Sequence, residues 1–92
     1  MKLAVLSPNR VRDRESLHAA LARQLDFPAW YGGNLDALYD LLTAEGERVC
    51  ILLLNRKKLA SSLGEDYDRL LAVLEDVNRE TGRVTVVGDG KS

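Results

Sequence analysis

Val49-Cys50-Ile51-Leu52-Leu53-Leu54 is an unbroken apolar run between Arg48 and Asn55. A strand with one solvated face alternates apolar and polar residues, so a continuous run suits a strand buried on both faces of a parallel sheet. Two further apolar stretches flank it at a distance. Leu3-Ala4-Val5-Leu6 ends at the turn cluster Ser7-Pro8-Asn9, and Arg83-Val84-Thr85-Val86-Val87 ends at Gly88-Asp89-Gly90. Both read as short strands. The stretches between the strands have helical periodicity.

Asp13 or Ser16 can cap a first helix whose apolar positions are Leu17, Ala20, Leu21 and Leu25. Pro28 lies past its end, and Tyr31-Gly32-Gly33-Asn34 is a turn with two glycines free to take positive φ. Asn34 is a good cap for a second helix, Leu35 to Ala44. Asn55 to Leu59 starts a short basic helix closed by Gly64. Tyr67 to Thr81 carries the stripe Leu70, Leu71, Leu74 and Val77, with Gly82 as its stop. The order β-α-α-β-α-α-β predicts an α/β fold, a three-stranded parallel sheet with helices packed around it and Val49–Leu54 as central strand. With no repeat or linker visible, residues 1–92 read as one domain.

Composition excludes several classes. One Cys and one His leave no disulfide framework and no Cys/His zinc cluster. No apolar run approaches a membrane span or a signal-peptide core, so a cytoplasmic, reduced protein is expected. A net charge of −1 argues against a general nucleic-acid binder. That total conceals alternating blocks. Residues 27–47 hold Asp36, Asp40, Glu45 and Glu47 without a Lys or Arg, and residues 65–82 hold six acids against two Arg. Residues 48–64 hold Arg48, Arg56, Lys57 and Lys58 without an acid. If the two acidic blocks meet in space, they make a negative face.

The usual catalytic constellations are absent from the pattern. His18 has no Cys or acid at a catalytic spacing and reads as a surface or partly packed side chain. Cys50, inside an apolar strand, reads as a small hydrophobe. Gly88-Asp89-Gly90-Lys91-Ser92 has no preceding Gly at Thr85 and no helix after it, so it reads as a frayed tail and not a phosphate loop. The second helix is different. Leu35, Leu38, Leu41 and Leu42 form an inward face, leaving Asp36, Tyr39, Asp40 and Thr43 on the opposite stripe. An acid in the first turn suits the helix dipole, which accounts for Asp36 but not for Asp40. An aromatic beside two unpaired acids fits an interface aimed at a basic partner, against the plainer reading of a solvated helix face. Acid/base or metal chemistry by Asp36 and Asp40 would need a cleft that a convex helix does not supply. On the last helix Glu75, Asp76, Arg79 and Glu80 lie off the leucine stripe, with Glu75 and Arg79 at pairing distance.

The run Phe27-Pro28-Ala29-Trp30-Tyr31-Gly32-Gly33-Asn34-Leu35-Asp36-Ala37-Leu38-Tyr39-Asp40 closely resembles the signature of the barstar family, intracellular inhibitors of the secreted bacterial ribonuclease barnase. The likeness extends along the chain, from the opening strand through Ser16-Leu17-His18 to the closing glycine and strand. It implies no catalysis, no cofactor and no metal. It implies instead a monomer in a 1:1 complex with a basic, extracellular-type ribonuclease, without direct contact to nucleic acid or membrane. The helix after the Tyr-Gly-x-Asn turn would plug the enzyme's active site, its acids standing where substrate phosphates sit. Carried over by the motif, the contacting residues are Trp30, Gly32, Asn34, Leu35, Asp36, Tyr39, Asp40 and Thr43, joined by Asp76 and Glu80 on the last helix. Asp40 is the most direct phosphate mimic. The family's usual helix Trp is Tyr39 here, Ala44-Glu45 replace a Gly and an aromatic, and the basic Arg56-Lys57-Lys58 segment is unlike the prototype. An immunity or regulatory protein of the same fold, directed at a different toxin or basic partner, would share this acidic face.

Overall fold

The computed structural model describes residues 1–44 and 46–88. Glu45 and the tail 89–92 lie outside the described residues, so the expectations about both stay with the sequence. The elements are β1 (Lys2–Leu6), α1 (Arg14–Leu25), α2 (Leu35–Ala44), β2 (Val49–Leu53), α3 (Arg56–Leu63), α4 (Glu65–Thr81) and β3 (Val84–Gly88). The strands form one parallel sheet in the order β1-β2-β3, with Ala4 opposite Ile51 and Ile51 opposite Val86. The α/β architecture and the central place of Val49–Leu53 match the sequence reading.

Local chemistry sets the helix ends. Asp13 and Ser16 form a reciprocal cap on α1. The Ser16 N–H donates to Asp13 Oδ1 at 2.8 Å, and the Asp13 N–H donates to Ser16 Oγ at 3.0 Å. Hydrogen bonding from Ser16 to the carboxylate, its backbone N–H first, holds the Asp13 carboxyl below its ordinary pKa. Gly64 separates α3 from α4 at φ +59, ψ −129, a backbone conformation open essentially to glycine.

Consecutive neighbouring strands with right-handed crossovers put all helices on one side of the sheet. Val49, Ile51 and Leu53 are accordingly buried together with Ala4, Leu6 and Val84. The other face, Leu3, Val5, Cys50, Leu52, Thr85 and Val87, has no buried member, and Leu3 and Val87 are 52% and 43% exposed. The expectation that β2 is buried on both faces is therefore corrected. An apolar run reports hydrophobicity on both sides of a strand, not the presence of a layer on both sides.

The outer edge of β1 is closed by a side chain. Gln24 Oε1 accepts the Val5 N–H at 2.7 Å, and Gln24 Nε2 donates to the Val5 carbonyl at 2.9 Å. Among the described residues no helix is long and apolar enough to cross a membrane.

Candidate partner-binding surface

α2 begins as its sequence dictates. Asn34 Oδ1 accepts the Ala37 N–H at 2.8 Å, and the Asn34 carbonyl accepts the Leu38 N–H at 3.0 Å. Leu38 and Leu42 are buried, while Leu35 and Leu41 are half-buried. The inward face is thus narrower than the four leucines suggest. On the opposite stripe Asp36 and Asp40 are exposed, and Tyr39 and Thr43 are half-buried. Thr43 Oγ1 donates to the Tyr39 carbonyl at 2.9 Å and lies 3.1 Å from that of Asp40, so it serves the helix backbone.

The acidic blocks meet. α2 packs against α4, and the Tyr39 hydroxyl is raised above its ordinary pKa first by a hydrogen bond to Glu80. Partial burial and the charges of Glu80, Asp76 and Asp40 add to that shift. Acids from two helices therefore surround one phenol. They differ in how far the chain itself neutralises them. Arg79 donates from Nη1 to Asp76 at 2.8 Å and from Nη2 to Glu75 at 2.9 Å. Among the described residues Asp36, Asp40 and Glu80 have no ion-pair partner.

α2 leads into β2 and α4 into β3, so the last turns of both helices lie toward the strands' amino ends. Arg83, just before β3, confirms the placement with Nη2 donating to the Thr43 carbonyl at 3.4 Å. Arg10, Arg12, Lys57 and Lys58 follow the carboxyl ends of β1 and β2 and are exposed. Arg56 is half-buried instead, with Nε donating to the Tyr67 hydroxyl at 3.3 Å.

The loop before α2 adds Trp30, which is 73% exposed, and exposed Gly32. Only Gly33 of the two glycines takes a positive φ, +68. A Cβ at Gly32 would stand 3.2 Å from Asn34 Nδ2, close enough to disturb the cap. Beneath this loop lies a residue that the sequence reading misplaced. His18 is 4% exposed, with Nδ1 at 2.5 Å from the Tyr31 hydroxyl. Its spacing from Leu21 and Leu25, three and seven residues on, places it on the helix's inner stripe and was the available signal. Burial lowers its pKa below 6.5, and burial raises the Tyr31 phenol to about 12. Asp66 opposes the His18 shift and Arg14 reinforces it.

Comparison with known proteins identifies the family. The family model described as Barstar (barnase inhibitor) matches residues 1–88. The protein named "Putative ribonuclease inhibitor YrdF" from Bacillus subtilis (strain 168) is 33% identical over 81 residues, covering 87% of this chain and 89% of that one. With a matching sheet order, a capped acidic helix and a family match over nearly its whole length, the chain belongs to the barstar family.

Proposed function

We propose that this protein inhibits a barnase-like ribonuclease in the cytoplasm, binding as a monomer in a 1:1 complex and acting as one domain over residues 1–92. The acidic face of α2, flanked by Trp30, Gly32, Asn34, Leu35 and Tyr39, enters the enzyme's active site. Asp40 and Asp36 occupy positions that substrate phosphates would take, while Asp76 and Glu80 meet cations at the rim. A ribonuclease site gathers cations to hold a polyanion, so a prearranged set of carboxylates meets them without reorganisation. Exposed acids on this surface also steer a basic enzyme during diffusion.

The observation that carries the reading is the convergence of Asp40, Asp76 and Glu80 around Tyr39, with Asp36, Asp40 and Glu80 lacking an ion-pair partner among the described residues. Unpaired like charges held together on a folded surface cost stability, and a cationic partner recovers that cost. The test is RNA cleavage by purified barnase titrated with this protein. Stoichiometric loss of cleavage, relieved in Asp40→Asn, is the expected result. Full cleavage at excess protein would overturn the ribonuclease reading and favour a different basic partner.

A further inference from the structure

Arg69, Val73, Asp76 and Glu80 recur at intervals of four, three and four residues, so they share one stripe of α4. Asp76 and Glu80 act on Tyr39 of α2. Arg69 lies at the other end of the stripe, where a cavity of about 170 Å³ opens between the amino-terminal parts of α1, α2 and α4. Arg14, Asn34, Leu35, Asp36, Asp66 and Arg69 line it. A small-molecule site occupies roughly 300 Å³ or more, so this cavity is sized for a single protruding side chain. Asn34, Leu35 and Asp36 also belong to the surface that meets the enzyme in the reading above.

The two guanidinium groups at the cavity are not equally committed. Arg14 meets both Asp66 oxygens through Nε, at 3.3 and 3.4 Å. Arg69 is 58% exposed, and its ion pair is with Glu65, 3.7 Å away and 86% exposed. That contact is longer than a hydrogen bond and joins two solvated side chains, so water and salt compete with it. Asp36, on the α2 side of the cavity, has no ion-pair partner among the described residues. The start of α2 therefore presents one available charge of each sign, whereas the region around Tyr39, where Asp40 and Glu80 stand, presents acids.

We propose that Arg69 is a specificity-determining residue of this surface, taking a carboxylate of the ribonuclease next to the enzyme cation that meets Asp36. The inference rests on the reading of α2 and α4 as the ribonuclease-binding surface, and it narrows the partner. An enzyme with only cations around its site would set one of them against Arg69, and like charges brought together at a contact oppose binding. An enzyme with an acid beside that cation matches both charges. Guanidinium and carboxylate then pair through two parallel hydrogen bonds, which fixes the docking angle as well as the sign. Asp36 and Arg69 together read a charge pair, whereas Asp40 reads a single charge.

The test is a charge scan of the enzyme. Displayed barnase, with the surface residues around its active site changed singly to Asp and to Lys, is sorted for binding to the native chain and to Arg69→Glu. At one enzyme position, or a few adjacent ones, Asp should bind the native chain about tenfold better than Lys. Arg69→Glu should reverse that preference at the same positions. Arg23→Glu makes the same change in net charge at the far end of α1 and should leave the preference as it is in the native chain. That control separates a contact from the long-range field. Arg69 and Arg23 are both exposed, so neither variant disturbs the core. A preference that does not reverse in Arg69→Glu, or that reverses equally in Arg23→Glu, would overturn the assignment of Arg69. A native chain that binds neither barnase nor any of its variants overturns the ribonuclease reading itself, and Arg69 loses its role with it.

Discussion

Arg79 holds Asp76 at 2.8 Å, whereas Asp40, on the facing helix, has no cation of its own among the described residues. The two acids contribute to one negative surface but are not equivalent. An acid already shared with a guanidinium has less to gain from a partner.

The acids should therefore rank in binding. Asp40→Ala is expected to weaken the barnase complex most, on the scale of about 3–5 kcal/mol for breaking a buried charge pair. Asp76→Ala and Glu80→Ala should cost about 1 kcal/mol or less, as rim charges do. Calorimetry on the three variants checks the order. Equal losses would contradict a plug centred on Asp40.

Removing Arg79 should strengthen the field. Arg79→Ala releases Glu75 and Asp76, and its exposed ion pairs contribute about 0–1 kcal/mol to folding. Stopped-flow association with barnase should become faster and more sensitive to salt, with the urea midpoint little changed.

The pH dependence of stability has a definite sign. The folded protein holds His18 below its ordinary 6.5, so the unfolded chain binds its proton first as pH falls. Stability conferred by the neutral buried ring is present above pH 6.5 and declines as pH drops below it. Urea melts of the native chain and His18→Gln should diverge in that window, with the native chain showing the steeper decline.

Gln24→Ala should be costly for an intermediate-depth polar residue. It leaves the Val5 N–H and carbonyl without their partner, about 1–3 kcal/mol for a group that water does not fully reach. Denaturant unfolding checks the value. A loss near zero would mean that water replaces the amide.

How much of this was legible depended on what each residue's neighbours are. The ends of α2 were readable because Asn34 caps locally and the leucine spacing is regular, both properties of a few adjacent residues. That Asp40, Asp76 and Glu80 all act on Tyr39 was foreshadowed only as a charge pattern, since it spans two helices and depends on how they pack. The inward position of His18 was legible in its spacing from Leu21 and Leu25, but not the group that covers it. Here that is Tyr31, thirteen residues away across a turn. The one-sided covering of the sheet followed from the crossover rule, and the apolar character of Cys50 and Leu52 pointed the other way. Topology decided it.

The Gln24 amide has the same donor and acceptor as a peptide unit and occupies the place where an incoming strand would register on β1. A second chain that tried to extend the sheet from that side would find its first docking point taken. One glutamine thus guards the protein against templated, fibre-like self-addition without any additional secondary structure.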